Sequence, residues 1–453
     1  MSGKAVIIHD FTQGNVAKSL GLFALPLFLS SLLQIIYNMV DMVIVGQVLG
    51  PPGLSAVTVG GDLSHYLMLF AMGFGNASQV IVAQHIGAGR REELGRFIGT
   101  MFLFLELCTV GASIPCLWFR HGLLHLMNTP AEAYTEALHY MIICTAGHLF
   151  ISGYNAAAAV LRGLGDSRHP FLFISAAAIL NVLLDILFVI VLRWGAGGAA
   201  LATVISQGAS FLACLAFLLR HENELGFRLK TSDFLRLDGE KLGMLLKLGV
   251  PMAIKSCAIH TSKLFVNVWI NSYGVLTSAF AGIVAKLNNV SNQASNALNT
   301  AGSSMVGQNI SAGKPERVRR ILGTIIVAVL TMATLFSAIL LCFPRAVYGI
   351  FTDNQDVLDI GLKFLPIGVL IFFGSAFRCP ANALINGSGH YKINFVTALM
   401  DGFLMRIGLS VLFGLCLGMK AYGFWLGDAI GGFTPFFIGL FFYFSGKWKK
   451  AII

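Results

Sequence analysis

Apolar runs of about 20 residues recur along this chain from Leu20 to Phe444, each long enough to cross ~30 Å of hydrocarbon as an α-helix. About twelve such spans are expected, at 20–47, 57–84, 97–118, 134–160, 170–192, 197–219, 245–270, 277–305, 321–343, 358–384, 393–417 and 423–445. The fold class that follows is all-α and polytopic, embedded in a lipid bilayer. Composition agrees: of 453 residues, 56% are hydrophobic and 11% charged, and the mean hydropathy of +0.77 lies far from soluble usage. Several spans carry prolines, among them Pro26, Pro251 and Pro366, which bundled membrane helices tolerate and where bends are expected.

A net charge of +10 would suggest a nucleic-acid partner in a soluble protein, but its distribution gives a different reason. With the N-terminus inside, Lys4, Arg90, Arg91, Arg228, Arg317, Arg320 and Lys450 fall on the cytoplasmic side, with most other loop lysines and arginines. Arg120, Arg193, Arg345 and Lys420 stand opposite. This asymmetry orients both termini to the cytoplasm, and no nucleic acid is called for. Residues 1–15 are polar and lack the apolar core of a removable signal peptide, so the first span does the targeting.

One segment occurs twice. Val82, Gln84, Ile86, Ala88, Gly89 and Glu92 return as Val306, Gln308, Ile310, Ala312, Gly313 and Glu316, a shift of 224 residues. The same shift carries Gly163 and Gly165 onto Gly387 and Gly389, and Gly50 onto Gly274; a shift one residue longer carries Pro26 onto Pro251. Two homologous six-helix lobes are expected, 1–219 and 244–453, joined by a charged cytoplasmic linker over 220–243. Six spans per lobe give both the same orientation, an arrangement suited to alternating access and hence to transport. The repeated glycine turns read as tight loops and carry no chemistry.

Asp41 lies well inside the first span, where a carboxylate costs ~2.5–3.5 kcal/mol on insertion scales and therefore faces a partner or a wet cavity. Tyr37 and Gln34 sit on the same helix face, one and about two turns back. A second carboxylate, Asp185, shares a face with Asn181 in the fifth span. Both spans run outward, so the two aspartates can meet at similar depth, joined by Thr203 and Asn155 if the first six helices surround one cavity. Two carboxylates in a low-dielectric cavity cannot both ionise easily, so such a pair binds a proton near neutral pH. Each proton entering down the membrane potential brings ~2.3 kcal/mol per 100 mV. The structural alternative is that both aspartates bond neighbouring helices.

The second half does not repeat this pair, since Val266 and Leu409 stand at the corresponding positions. It holds Lys255, Lys263, Arg378 and Arg406 against Asp401, with Asn267 opening a polar stripe over the seventh and eighth spans. These residues predict either a substrate cavity receptive to anionic or zwitterionic groups, or interhelical pairs to Asp401 with snorkelling lysines.

With Tyr37 to Asp41, Val45-Gly46, the doubled Gln84–Gly89 turn, residues 163–170, Phe11 to Gly14 and Phe23 to Pro26 in place, the chain resembles the multidrug and toxic compound extrusion (MATE) family over nearly its whole length. The resemblance implies two six-helix lobes in a V and efflux of organic compounds in exchange for protons or sodium ions. Residue types of the proton site in the DinF-like branch match at Tyr37, Asp41, Asn155, Asn181, Asp185 and Thr203. The carboxylates of NorM-like second lobes have no match here, which favours protons over sodium.

Among rivals, an ATP-driven pump lacks its phosphate loop, because Gly313-Lys314-Pro315 offers neither hydroxyl nor spacing. An intramembrane protease of the GxGD type would use Asp166, but that residue lies in a loop beside Arg162 and Arg168. His121 and His125 have metal-ligand spacing without a third partner. A lipid-linked precursor flippase of the same superfamily commonly has extra spans. The expectation is a non-enzymatic, proton-coupled exporter of small amphipathic organic compounds. It would act as a monomer in a bacterial cytoplasmic (inner) membrane, with no cofactor or metal beyond the coupling ion; sodium coupling and the flippase are the alternatives.

Overall fold

The computed structural model describes residues 9–450, without the side chains of 63–67, so Lys4 falls outside the described residues. The regular structure of those residues is all helix, with no strand among them. Twelve rods follow one another, short connecting helices aside. In chain order they are α1 (16–49), α2 (51–87), α3 (Leu94–Trp118), α4 (Tyr134–Gly163), α5 (Arg168–Val191) and α6 (Gly195–Arg220). Then come α7 (Gly239–Asn271), α8 (Val275–Ser311), α9 (Pro315–Cys342), α10 (Gln355–Gly387), α11 (Tyr391–Cys416) and α12 (Lys420–Phe444). Nine stretches among the described residues are long and apolar enough to cross a membrane; the other three expected spans, 57–84, 134–160 and 277–305, lie within the continuous helices 51–87, Tyr134–Gly163 and Val275–Ser311.

The break between α1 and α2 is a single residue, Gly50, at φ 65° and ψ −157°. Only glycine adopts that conformation freely, and Pro51-Pro52 then starts α2 where a missing N–H costs nothing. Its repeat partner Gly274 (φ 108°) performs the same step between α7 and α8. Helical dihedrals run unbroken through Pro26, Pro251 and Pro366, so none of these prolines ends its helix.

The chain divides into two compact units, one of Met1–His9 with Leu25–Gly249, the other of Asp10–Ala24 with Val250–Ile453. This differs from the expected boundaries in two ways. First, residues 220–243 are not a free linker. Leu225 is fully buried, Phe234 packs at a tilt against Phe102 of α3 with ring centroids 5.8 Å apart, Asp238 N–H donates to Thr100 Oγ1 (3.2 Å) and the Lys241 ammonium bonds the Glu93 carboxylate. Second, Asp10–Ala24 belongs to the second unit. Phe11 is fully buried there, its N–H donating to Gln308 Oε1 (3.0 Å) and its carbonyl accepting from Asn309 Nδ2 (3.1 Å) and Arg317 Nε (2.8 Å). In both repeated first helices the division falls one residue before the Leu25-Pro26 and Val250-Pro251 pairs' prolines.

Within each unit the doubled glycines mark a helix crossing. A Cβ at Gly163 would lie 2.6 Å from Val82 Cβ and 2.7 Å from Gln79 O; at Gly387 it would lie 2.8 Å from Val306 Cβ and 2.7 Å from Ser303 O. All three pairs are 224 residues apart, so the duplication preserves one contact, α4 against α2 and α10 against α8. The loop reading is thus half the story: Gly165 and Gly389 turn the chain, while Gly163 and Gly387 let two helices touch. Gly163→Ala and Gly387→Ala are each expected to cost about 1–3 kcal/mol by overpacking. Gly111→Ala, in open space on α3, should be neutral or stabilise by about 0.5–1 kcal/mol. Thermal denaturation of the purified variants in detergent checks the contrast, and equal behaviour of all three would refute it.

Candidate functional site

In the first unit Asp41 on α1 and Asp185 on α5 are both buried, Asp185 completely. They lie within electrostatic range of each other, and Asp41 also lies within range of Tyr37, Tyr140 and Cys144. Asp41 Oδ1 and both carboxylate oxygens of Asp185 have no hydrogen-bond donor among the described residues. Asp185 closes the regular part of α5, and the chain continues as a π-helical turn over Ile186–Val191, a local widening often found at functional positions. The repeat keeps that turn at Leu412–Cys416 without the carboxylate.

One helical turn before each aspartate, Tyr37 and Asn181 border a small cavity of about 10 Å³, room for roughly one water, which neither Asp41 nor Asp185 itself lines. Tyr37, Asn181 and Thr203 line it, together with Ser206, Gln207 and an apolar wall of Ile174, Ala177 and Ala178. Asn181 Nδ2 reaches Thr203 Oγ1 at 3.5 Å and Gln207 Nε2 donates to the Tyr37 hydroxyl at 3.4 Å, both long. Asn181 Oδ1 and Gln207 Oε1, which can only accept, remain without partners, as does the Ser206 hydroxyl, so the cavity wall offers free acceptors. Such a lining suits a species that brings hydrogen or positive charge.

Two expected members stand apart. Asn155 is half-buried and donates to the Ile151 carbonyl of its own helix (2.8 Å), and neither it nor Gln34 lines the cavity. Gln207 was missed, although it follows Thr203 by one helical turn and so could have been read from spacing. Glu106 on α3 was missed as well; it places both carboxylate oxygens in the interior without a donor.

The second unit holds a different constellation. Arg406 on α11 is an ion-paired hub, its Nε bonding Asp401 Oδ1 at 2.9 Å and its Nη1 bonding Asp428 Oδ1 on α12 at 2.5 Å. Asp428 corrects the expectation of one carboxylate among four cations. It stands near the start of its span, where it reads as an interfacial charge. Lys255 Nζ donates to Asn382 Oδ1 (2.6 Å) and Arg378 Nη2 to Asn292 Oδ1 (3.0 Å). Lys263 lies within electrostatic range of Arg378, Arg406, Asp401 and Asp428, whereas Asn267 is exposed. Lys255 is 8% exposed and is the middle residue of α7, about 24 Å from either end, so its ammonium cannot snorkel to an interface.

A family model described as MatE matches residues 26–187 and again 251–412, an offset of 225 residues that agrees with the duplication to within one residue. The probable multidrug resistance protein YpnP of Bacillus subtilis is 29% identical over 442 residues, covering 97% of this chain and 98% of that protein. Among solved structures, a MOP superfamily transporter from Pyrococcus furiosus, described as having a binding pocket of reversed polarity that suggests a different function, superposes with a TM-score of 0.87. It is 20% identical and covers 99% of this chain and 100% of its own. An outward-facing multidrug resistance MATE family transporter of the same superfamily follows at 0.86, with 22% identity and 98% of each chain covered.

Proposed function

The chain belongs to the MatE family of membrane transporters, and from that premise we propose that it exports small amphipathic organic compounds in exchange for protons carried by Asp41 and Asp185. The relatives' names, multidrug resistance proteins, supply the substrate class. One observation carries the assignment of the ion: two buried carboxylates lie in electrostatic range of each other, with three oxygens that have no donor among the described residues, and Tyr37 and Asn181, each one helical turn before its aspartate, line a cavity the size of about one water. A carboxylate so placed is stable as the protonated acid or with a bound cation, and switching between states changes the charge of the helix packing around it.

The second unit supports the same reading by contrast. Its intramembrane carboxylates Asp401 and Asp428 are both ion-paired to Arg406, with Lys263 and Arg378 also in electrostatic range, so a sodium ion would meet a neighbourhood of net positive charge. Protons arriving from outside would neutralise the Asp41–Asp185 pair, shift the first-unit helices and release the compound outward. We place the protein as a monomer in a bacterial cytoplasmic membrane with both termini inside, using no cofactor and performing no catalysis.

Purified protein in liposomes loaded with a pH-sensitive dye tests the coupling. In sodium-free buffer, adding a transported compound should move protons across an imposed gradient, and sodium should change the rate little. Proton movement that appears only when sodium is supplied would overturn the assignment.

A further inference from the structure

The second unit holds more positive charge within its spans than it neutralises, with Lys255 and Arg406 buried and Lys263 and Arg378 partly so, and this surplus has a direction. Four cations, Lys255, Lys263, Arg378 and Arg406, face two carboxylates, Asp401 and Asp428, and Arg406 takes both. None of Lys255, Lys263 and Arg378 forms an ion pair among the described residues; Lys255 and Arg378 have one amide oxygen each, from Asn382 and Asn292. The three sit in one electrostatic neighbourhood, since Arg378 lies within range of both Lys255 and Lys263. They come from two helices, α7 and α10, so the grouping is tertiary rather than a local run of sequence. Uncompensated cations inside a membrane protein are costly, and a neutral amide recovers only part of what water gave them.

We infer that Lys255, Lys263 and Arg378 form a binding site for an anionic group, a carboxylate, sulfonate or phosphate, on the compound the protein moves. Arg378 supplies a planar fork suited to two oxygens of such a group, and the lysines add compact charge from the facing helix. Asn382 and Asn292 hold the Lys255 and Arg378 side chains in place, and Ser375, which donates to Asn292 Oδ1 at 3.0 Å, steadies that amide. Asp401 and Asp428 are ion-paired to Arg406 and lie within electrostatic range of Lys263, so two carboxylates against four cations reduce the positive surplus without cancelling it. The inference rests on the export reading for its substrate and not for the site itself, which would bind anions whether or not they cross the membrane.

The test measures equilibrium binding to the full-length protein in nanodiscs with three probes of one aromatic body. These are naphthalenesulfonate, naphthylmethanol and naphthylmethyl-trimethylammonium. Naphthalenesulfonate should bind at least about tenfold tighter than the ammonium probe. Arg378→Gln and Lys263→Gln should each remove that preference, and Arg378→Lys should restore part of it in a protein of unchanged thermal stability. Equal or tighter binding of the ammonium probe by wild type, or a sulfonate preference surviving in both glutamine variants, would overturn the site. Repeating the titration with anionic phosphatidylglycerol in the nanodisc separates the sources. Competition by the lipid assigns the site to a headgroup phosphate, and no competition assigns it to a soluble anion; either result upholds anion recognition. Proton-coupled transport failing in liposomes while sulfonate binding persists would refute the export reading alone.

Discussion

Asp41→Asn and Asp185→Asn are each expected to abolish compound-driven proton movement while leaving the protein folded. Asparagine has the shape of the protonated acid, and the carboxylate oxygens of Asp185 receive no donor whose loss would unravel the packing. What each substitution removes is the exchangeable proton. The initial rate of dye-reported proton flux should fall at least about tenfold, equivalent to about 1.4 kcal/mol of barrier, and its dependence on pH should flatten. Because the two carboxylates lie in each other's field, they act as a unit, and the double variant should transport no worse than either single one. Movement of the compound down its own gradient should continue in all three. Antiport that persists in both single variants would reduce the aspartates to structural groups, and additive losses would mean two independent proton sites.

Most of the scaffold was legible because hydropathy reports length and burial directly. The twelve spans, the duplication and the glycine break at Gly50 all leave marks at the right spacing. Contacts that depend on which surface meets which leave none. Nothing in the polar run from Asp10 to Gly14 tells that Phe11 will be buried against Gln308 and Asn309, and only the aromatic ring amid polar neighbours hints at it. The segment 220–243 reads as a linker by charge, yet it packs on α3 because Gly95 and Gly99 bare that helix. A Cβ at Gly95 would meet Arg228 O at 2.1 Å and one at Gly99 would meet Asp233 O at 2.4 Å. In the site, helical spacing placed Tyr37, Asn181 and Thr203 around one cavity. Spacing alone could not tell that Asn155 would turn its amide to its own backbone. Asp428 was hidden for a different reason: near a span's end a carboxylate looks solvated, and only its partner Arg406 draws it inward.

Arg406→Met is expected to be the most damaging single substitution in the second unit. Arg406 is 2% exposed, Asp401 is fully buried, and Asp401 Oδ2 already lacks a donor, so the guanidinium is that carboxylate's sole counter-charge within ion-pair distance. Removing it strands two carboxylates between α11 and α12, at a cost of about 3–5 kcal/mol for breaking a buried pair. The helices cannot relax around the defect by closing up. They already meet backbone to backbone, a Cβ at Gly427 falling 2.3 Å from Ser410 N and one at Gly431 falling 2.9 Å from Arg406 Cα. Arg406→Lys should recover little, because one ammonium cannot reach in the two directions that Nε and Nη1 cover. Adding Asp401→Asn and Asp428→Asn to Arg406→Met should recover much of the loss, since the whole ionic group then leaves together and most of the penalty lies in the unpaired charge. The fraction of monodisperse protein surviving a heating series in detergent compares the three variants with wild type. A methionine variant as stable as wild type would show that water reaches the carboxylates, and a triple variant no better than the single would show that the guanidinium holds the helices by packing rather than by charge.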